Sequence, residues 1–409
     1  MSLSMKTPQN DNRCVRMKTL QYLENLLGGV ACSMLSLFSV LLGKGDHPEP
    51  AKVKRVLCVK FWGIGSLILA TPFFREAKRI FPNATIEVLT LSGNRGVVKM
   101  LPGVDRVHFL DIGSNVPGAI IAFLKSMFAM RRLRADVFID LEFYTRASAI
   151  MTLFSGSAVR VGYHSQGVWR GNFHTHKIAF NHYRHVTANF YNLLEPFGVA
   201  PESNALPPEV VIAASAKGEV DSLLEAHGIG EMFIVVNVNA GELAYERRWA
   251  PERFAELTGK LCEKWGLVAV FVGSPGERDY VESVVQAVRP GKGRVLNVAG
   301  QLSLDCLGEL FSRSSFVLTN DSGPLHLAVA MGARVAAVFG PETPVLYGPV
   351  GEGHVTFFAD IPCSPCINVE RAKRLQCWQP TIRCQDKLTV ESLQSLIEKE
   401  FSGVMESRA

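Results

Sequence analysis

The chain has 409 residues, of which 47% are hydrophobic and 20% are charged, and its formal net charge is +5. This length and hydrophobicity are enough for two domain-sized cores, which argues against an intrinsically disordered protein. The small positive charge suits an anionic substrate or a lipid surface, and no basic array interleaved with aromatic residues indicates nucleic-acid binding. Nine cysteines in so long a chain do not form a secreted disulfide framework, which favours a reducing compartment.

The N-terminal segment, residues 1–52, differs in composition from the rest of the chain. Four basic residues precede a mostly apolar stretch, residues 20–42. Its uninterrupted apolar part, residues 29–42, is too short to span a bilayer comfortably, and no small-residue cleavage site indicates a removed signal peptide. We expect an amphipathic helix on a membrane surface, with packing against the following domain as the alternative.

From Arg55 onward, short β-rich runs alternate with helical stretches, which predicts parallel sheets covered by helices. The strands predicted before the Pro-rich linker at residues 201–208 are Val56–Lys60, Thr85–Leu91, Val107–Asp111 and Val137–Leu141. Those predicted after it are Phe233–Val238, Leu267–Val272, Val295–Val298, Phe316–Leu318, Val335–Phe339 and Val355–Phe358. The pattern predicts two doubly wound α/β domains, residues 53–205 and 206–385, facing a central cleft.

A long helix is predicted to end at Arg134. Its last residues include Arg131, Arg132 and Arg134, which follow the apolar Phe123 and Met127. We interpret the basic end as a complement to the helix dipole, with contact to anionic lipid headgroups as the alternative.

The turn after the predicted strand Phe316–Leu318 has the features of an anion site. Asp321 or Ser322 can cap the following helix, Gly323 permits close approach to the backbone, and a proline suits the first helical turn. The positive helix end then lies at the carboxyl end of a strand, where ligands bind in open α/β sheets. His326, one turn further on, adds a donor whose protonation can change near neutral pH.

This turn and the motifs after it resemble the nucleotide-sugar site of glycosyltransferase family 9, the heptosyltransferases. The resemblance covers Asp321-Ser322-Gly323-Pro324 with His326, then Gly332, Phe339-Gly340-Pro341 and Tyr347-Gly348-Pro349. It implies an inverting, metal-independent glycosyltransferase with two Rossmann-like domains of the GT-B type. A terminal segment, residues 386–409, is then expected to pack back on the first domain as a helix.

The resemblance also implies the reaction and its location. We expect transfer of heptose from ADP-heptose to a lipopolysaccharide core glycolipid in a bacterium. No cofactor is expected beyond the ADP-sugar donor. The expected location is the cytoplasm, with peripheral contact to the inner face of the inner membrane. The alternatives are transfer of a different nucleotide sugar, or a non-catalytic nucleotide-sugar or lipid-binding protein.

Donor-binding residues are predicted by matching the family motifs. Asn239 and Gly241 follow the strand Phe233–Val238, and Arg248 matches the basic position before Trp-x-Pro that meets the phosphates, with Arg247 as second candidate. Glu277 matches the position that accepts a hydrogen bond from the nucleoside. Its place in the first turn of a helix is also favoured by the dipole alone.

The acceptor side departs from the family at one residue. Gly63 and Gly65 match the opening loop, but Ser66 stands where relatives carry the aspartate implied as general base. A serine hydroxyl is no base near neutral pH, so Ser66 can at most position the acceptor or a water.

Asp140 and Glu142, at the carboxyl end of a strand and on one face of it, are the preferred replacements for the missing base. Glu142 is favoured because it lies further out toward the cleft, and Arg146 is expected to tune its pKa. The alternative is an ordinary buried cap at the end of the strand. Two alternatives stay open: stabilisation of the phosphates supplies most of the rate, or the protein binds without catalysing.

Two further clusters lack a defined role in the sequence. Irregular spacing argues against a metal site in a histidine cluster, which we interpret as a basic wall facing the acceptor, with a plain surface loop as the alternative: His164, His174, His176, His182 and His185. Near the C-terminus, four cysteines either bind structural zinc or form a reduced cluster within a loop, and the second interpretation is preferred: Cys363, Cys366, Cys377 and Cys384. No catalytic metal is predicted.

Overall fold

The computed structural model describes residues 28–37, 49–113, 115–165, 167–241, 245–367 and 377–408. The described chain divides into two compact units at Leu206 and Pro207, and the C-terminal residues 377–408 belong with the second unit. Among the residues described, no helix has both the length and the apolar character needed to cross a bilayer.

The first domain is a six-stranded, fully parallel sheet in the order β3-β2-β1-β4-β5-β6. Its strands are Arg55–Val59 (β1), Thr85–Leu91 (β2), Arg106–Leu110 (β3), Val137–Asp140 (β4), Val159–His164 (β5) and His176–Ala179 (β6). Its helices are residues 28–37 (α1), Ile64–Leu69 (α2), Thr71–Ile80 (α3), Arg95–Val98 (α4), Val116–Leu133 (α5), Arg146–Phe154 (α6) and Val186–Asn192 (α7).

The central strands of this sheet are buried because helices cover both of its faces. Leu57, Val59 and Phe138 are fully buried and pack with Met130 of α5 and Met151 of α6. A strand buried on both faces reads as a continuous apolar run, as β1 and β4 do.

The second domain repeats the design, with the fully parallel order β12-β11-β10-β7-β8-β9. Its strands are Phe233–Asn237 (β7), Val268–Phe271 (β8), Arg294–Asn297 (β9), Val317–Asn320 (β10), Val335–Phe339 (β11) and Val355–Phe358 (β12). Its helices are Ser215–Ala226 (α8), Pro251–Trp265 (α9), Arg278–Ala287 (α10), Leu304–Arg313 (α11), Gly323–Ala330 (α12), Pro344–Tyr347 (α13), Arg383–Asp386 (α14) and Val390–Arg408 (α15).

The terminal helix α15 packs on the second domain, so the prediction that it returns to the first domain is wrong. Leu393, Ile397 and Phe401 are fully buried in the second domain's core. The Phe401 ring lies 4.7 Å from that of Phe316, measured between centroids. The apolar spacing of the helix is satisfied by the sheet nearest to it in the chain, so no crossing is needed to bury this face.

The described part of the N-terminal segment, α1, packs on the first domain. Cys32 is fully buried against Ala149, Leu153 and Phe173, with Leu35 partly buried beside them. One face of the predicted membrane helix therefore packs on the first domain, as the alternative interpretation of this segment expects. The rest of the predicted segment, residues 1–27 and 38–48, lies outside the described residues.

Candidate functional site

Both sheets have the same topology, with the chain reversing direction across the sheet between two central strands. In the first domain these strands are β1 and β4, and in the second domain they are β7 and β10. The helices that follow the two strands diverge at such a switch point, which leaves a crevice at the strands' carboxyl ends. Asp140 and Glu142 lie at this position in the first domain, and Asn239 and Asp321 lie there in the second. Two other predicted site residues lie elsewhere, since His164 ends β5 and Glu277 follows β8.

Asparagines hold β7 and β10 together at the second domain's switch point. The amide of Asn237 donates to Thr319 Oγ1 at 2.9 Å and to Ser322 Oγ at 3.0 Å. Asn320 donates to Val238 O at 3.0 Å and accepts from the backbone N–H of Trp249 at 2.9 Å. These bonds position the chain before α9 beside the start of α12.

The start of α12 differs from the prediction in how it is capped. Ser322 occupies the N-cap position with extended backbone, but its side chain makes no capping bond. The Ser322 hydroxyl instead accepts from Asn237, which leaves the N-terminal end of the helix without a side-chain cap. Gly323 is half-buried at the first helical position. A helix end of this kind attracts an anion through its N–H groups and its dipole.

The cation at the start of α12 is Arg247, which the sequence analysis ranked second. Its Nη1 lies 3.3 Å from Asp321 Oδ2, and both side chains are largely buried. The buried Arg247 Nε has no hydrogen-bond partner among the described residues. Arg247 therefore neutralises Asp321 beside the helix. Its Nε–H has no acceptor among the described residues and can donate to a phosphate oxygen.

Arg248 faces a different group of residues. Its guanidinium lies 4.8 Å from the ring centroids of both Tyr245 and Tyr280. Its Nη2 lies 3.7 Å from Glu277 Oε1. Glu277 also accepts from the backbone N–H of Ser274 at 2.8 Å, so it acts as the capping residue of its own turn as well. Arg248 thus contacts Glu277 and the rings of Tyr245 and Tyr280.

The remaining donor-side predictions lie near these groups. Asn239 is buried, and its Oδ1 has no hydrogen-bond partner in the described part of the chain. Gly241 lies next to Arg247. A Cβ added at Gly241 would lie 3.5 Å from Arg247 Nη2. His326 is buried in the first turns of α12, with its ring centroid 6.4 Å from that of Tyr347. An unsatisfied amide oxygen at a switch point is a position that a ligand can complete.

Glu142 connects the carboxyl ends of β1 and β4 in the first domain. It is 0% exposed, and its Oε1 accepts from Lys60 Nζ at 2.9 Å, Phe61 N at 2.6 Å and Trp62 N at 3.1 Å. Its Oε2 accepts from Thr145 Oγ1 at 3.2 Å. The carboxylate thus holds the loop that leads to Gly63, a residue with a φ of 88°. Lys60 Nζ is the cation that bonds to Glu142, and Arg146 Nε donates to Trp169 O at 3.0 Å, so the tuning of Glu142 by Arg146 stays a prediction.

Asp140 lies in a second buried network next to Glu142. Its carboxylate pairs with Arg170, accepts from Ser148 Oγ at 3.1 Å and lies 3.4 Å from His174 Nε2. Burial raises the pKa of Asp140, but Arg170, His174 and the backbone N–H of Glu142 lower it, and the net result is a pKa below its usual value. A carboxylate with a lowered pKa is a weak base.

The predicted histidine wall does not form as one surface. His174 is buried with Asp140, and His185 caps α7 by accepting from Thr187 N at 3.3 Å. His164 is exposed at the end of β5. His164 ends β5, His174 lies in the loop before β6, and His185 precedes α7, so the three rings have different surroundings, which residue spacing alone did not show.

Gly162 explains the position of His174. A Cβ at Gly162 would lie 2.2 Å from His174 Nε2, so a side chain there would push the ring away from Asp140. Burial lowers the pKa of His174, although Asp140 partly raises it. Above pH 6.5 the ring is neutral in both the folded and the unfolded chain, and below that the unfolded chain takes up a proton first.

We expect the melting temperature of the wild type to fall between about pH 7.5 and about pH 5.5, with a contribution from His174. For a difference of one bound proton, the free energy of unfolding changes by at most about 1.4 kcal/mol per pH unit. In a His174→Asn variant this contribution disappears, whereas His164→Asn keeps it because that ring is exposed. Identical slopes in thermal melts of all three proteins contradict this assignment.

The other predicted acceptor residues lie in the loop that Glu142 holds. Gly63 is the N-cap of α2, Gly65 is buried, and Ser66 is half-buried in the first turn of the helix. A Cβ at Gly63 would lie 3.2 Å from Ser66 Oγ, so the hydroxyl lies directly under the turn. Ser66 is therefore placed to orient a bound group at the switch point of the first domain.

The cysteine cluster has no metal-binding arrangement in the described residues, and no other group of three or more metal-ligating side chains is found there. Cys363, Cys366, Cys377 and Cys384 are all free thiols. Burial raises the pKa of Cys384 to about 11, so the thiol stays protonated near neutral pH. The backbone N–H of Cys366 donates to Pro341 O at 2.9 Å, which places this loop against the turn after β11.

Comparison with known proteins identifies the family. The family model for glycosyltransferase family 9 (heptosyltransferase) matches residues 124–379, more than half of the chain. The chain belongs to this family. The predicted membership of this family is thus confirmed, and the protein is a glycosyltransferase.

Relatives of this glycosyltransferase are similar over most of their length. Lipooligosaccharide heptosyltransferase 2 of Haemophilus influenzae is 23% identical over 305 residues, which cover 71% of this chain and 84% of that protein. A family 9 glycosyltransferase from Veillonella parvula has a TM-score of 0.70 at 20% identity, covering 88% of this chain and all of that one. The Escherichia coli ADP-heptose lps heptosyltransferase II has a TM-score of 0.65 at 18% identity, covering 87% and 99%. The predicted fold class, with two Rossmann-like domains of the GT-B type, is confirmed.

Several residues of this glycosyltransferase's site were missed by the sequence analysis. Lys60, the cation on Glu142, was read only as part of a loop motif. Asn237, which joins β7 to Ser322, was read only as a strand residue. Both act on partners more than 80 positions away. A buried polar residue at the end of an apolar strand was the available signal.

Proposed function

We propose that this glycosyltransferase transfers heptose from ADP-heptose to a lipopolysaccharide core glycolipid with inversion. The observation that carries the proposal is the uncapped start of α12, with Arg247 and Asp321 beside it at the second domain's switch point. The family match and the names of the relatives support the choice of sugar and acceptor. The cytoplasmic face of the inner membrane, reached by peripheral contact, is the proposed location.

In this proposal the second domain binds the donor diphosphate. Arg247 and the N–H groups at the start of α12 stabilise the negative charge that grows on the departing ADP. His326 supplies a further hydrogen bond from the first turns of the helix. Arg248, Glu277 and the two tyrosines hold the nucleoside. No metal is invoked, because these groups supply the required positive charge.

Glu142 and Asp140 position the acceptor loop in this proposal. Both carboxylates are fully buried and bonded to cations, which leaves them poorly placed to take a proton from an acceptor hydroxyl. Glu142 fixes the loop containing Gly63, Gly65 and Ser66. Stabilisation of the leaving diphosphate then supplies most of the rate, one of the alternatives left open by the sequence.

The test is release of ADP from ADP-heptose in the presence of purified core acceptor, with the anomeric configuration of the product read by NMR. We expect release that requires the acceptor, and a product of inverted configuration. Release only from another nucleotide sugar would assign a different donor. Binding of ADP without release from any donor would favour a non-catalytic protein, the alternative that Ser66 raises.

A further inference from the structure

The first domain has an exposed apolar surface formed by α1 and α5, which the proposed reaction does not use. On α1, Val30, Met34 and Leu37 lie on one face of the helix, and Leu37 is 77% exposed. The opposite face of α1 is the one that packs on the domain through Cys32 and Leu35. The described part of α1 contains no charged residue.

Helix α5 has an exposed face of the same kind with basic residues added. Ile120, Ile121, Leu124 and Phe128 are exposed, and Phe128 is 68% exposed. Helical spacing places all four on one side, together with the exposed basic residues of the helix. These are Lys125, Arg131 and Arg132. Residues 116–134 contain no Asp or Glu.

The two helices belong to one surface of the first domain because α6 lies against both. Arg131 Nη1 donates to Phe154 O, at the end of α6, at 3.3 Å. The neighbouring Leu153 packs on Cys32 of α1. Beside α1, the half-exposed Trp169 donates its indole N–H to Ser33 Oγ at 3.1 Å.

We propose that this surface, formed by the exposed faces of α1 and α5 with Phe154 and Trp169, docks on an anionic lipid bilayer. This inference rests on the proposed function, whose glycolipid acceptor resides in such a bilayer. Apolar side chains enter the headgroup region, lysine and arginine pair with lipid phosphates, and a tryptophan lies at the boundary.

Charge distinguishes the bilayer from a second copy of this chain as the occupant. A two-fold dimer through this surface would bury Lys125, Arg131 and Arg132 of both copies in one interface, to which neither α1 nor α5 contributes a carboxylate. Like charges brought together as the surface loses water repel each other. An anionic membrane offers the opposite charge over the whole surface. Contact with lipid headgroups is the alternative given for the basic end of α5 in the sequence analysis, and Arg131 and Arg132 also lie in the last turn, where they complement the helix dipole.

Vesicle flotation of the full-length protein tests the proposal. The vesicles contain phosphatidylcholine with or without phosphatidylglycerol, and no glycolipid acceptor. We expect the wild type to float with the anionic vesicles and to be released by salt. Phe128→Glu is expected to weaken binding about ten-fold or more, and Arg131→Glu with Arg132→Glu about five-fold for each arginine removed.

Matched controls come from the second domain, where Val211 and Lys217 are exposed. Val211→Glu and Lys217→Glu repeat the two chemical changes away from the surface and are expected to bind vesicles like the wild type. Thermal melts verify that all variants are folded. Equal flotation of all variants, or failure of the wild type to float, overturns the proposal.

Two further readouts separate this proposal from competing outcomes. Sedimentation that shows a wild-type dimer, lost in Phe128→Glu, would assign the surface to a second copy and overturn membrane docking. Turnover of a delipidated core acceptor is expected to be unchanged in Phe128→Glu. A protein that floats but transfers no sugar would contradict the proposed function and leave docking intact.

Discussion

An Arg247→Ala variant is expected to lose about 100-fold or more in kcat/KM for the nucleotide sugar, mainly in kcat. Arg247 lies 3.3 Å from Asp321 at the start of α12 and is largely buried, so its charge acts in a site with little water. Its removal leaves Asp321 without its cation next to the departing diphosphate. Steady-state kinetics of ADP release, with donor varied, measures the loss.

The matched control is Arg278→Ala, which removes an exposed arginine at the start of α10. We expect that variant to keep wild-type kinetics, and Arg247→Lys to recover part of the activity because a lysine keeps the charge but not the forked geometry. Arg248→Ala is expected to raise the donor KM more than it lowers kcat, because it acts at the nucleoside. Equal loss in Arg247→Ala and Arg278→Ala would remove Arg247 from the site.

A Glu142→Gln variant is expected to lose both stability and most activity. Lys60 is 2% exposed, and it keeps a buried charge without a counterion once Glu142 becomes neutral. Breaking a buried pair from one side costs about 3–5 kcal/mol. Glutamine keeps an oxygen that can accept from Phe61 N and Trp62 N, but a neutral amide is a weaker acceptor than a carboxylate, so the loop from Phe61 to Ser66 is held less firmly. Chemical denaturation and ADP release measure the two losses.

The pH dependence of the residual rate tells a positioning residue from a base. If Glu142 positions the loop, the pH profile of Glu142→Gln keeps the wild-type shape at a lower rate. The double variant Lys60→Met with Glu142→Leu is expected to recover stability, because two apolar side chains leave no unpaired charge in the interior. It is not expected to recover activity, because neither side chain can accept hydrogen bonds from the loop. Loss of the acidic limb of the profile with unchanged stability would instead identify Glu142 as the base.

Several strands of the second domain followed closely from the sequence, and two of them, β7 and β11, are buried and almost entirely apolar. Val335–Phe339 and Val355–Phe358 were predicted with the bounds that the structure has, and Phe233–Val238 differs by one residue. The strands β5 and β6 of the first domain were not predicted. β6 is a short edge strand with a lysine and a histidine, and its half-buried pattern resembles that of a loop.

The site was predictable where one segment forms it and not where distant segments meet. Asp321, Ser322 and Gly323 follow one strand directly, so local spacing placed them at a helix start. The burial of Glu142 depends on Lys60, which is 82 residues away and directly follows β1. The different surroundings of Arg247 and Arg248 could not be predicted for a similar reason, because the directions of two adjacent side chains depend on the tyrosines and carboxylates around them.

The central claim is that the start of α12 holds the donor diphosphate, and the crystal structure of the full-length protein with an ADP-sugar tests it most directly. We expect a phosphate oxygen within hydrogen-bond distance of the Gly323 N–H and of the Arg247 guanidinium. A diphosphate bound elsewhere, with the Arg247–Asp321 pair left untouched, would contradict the account.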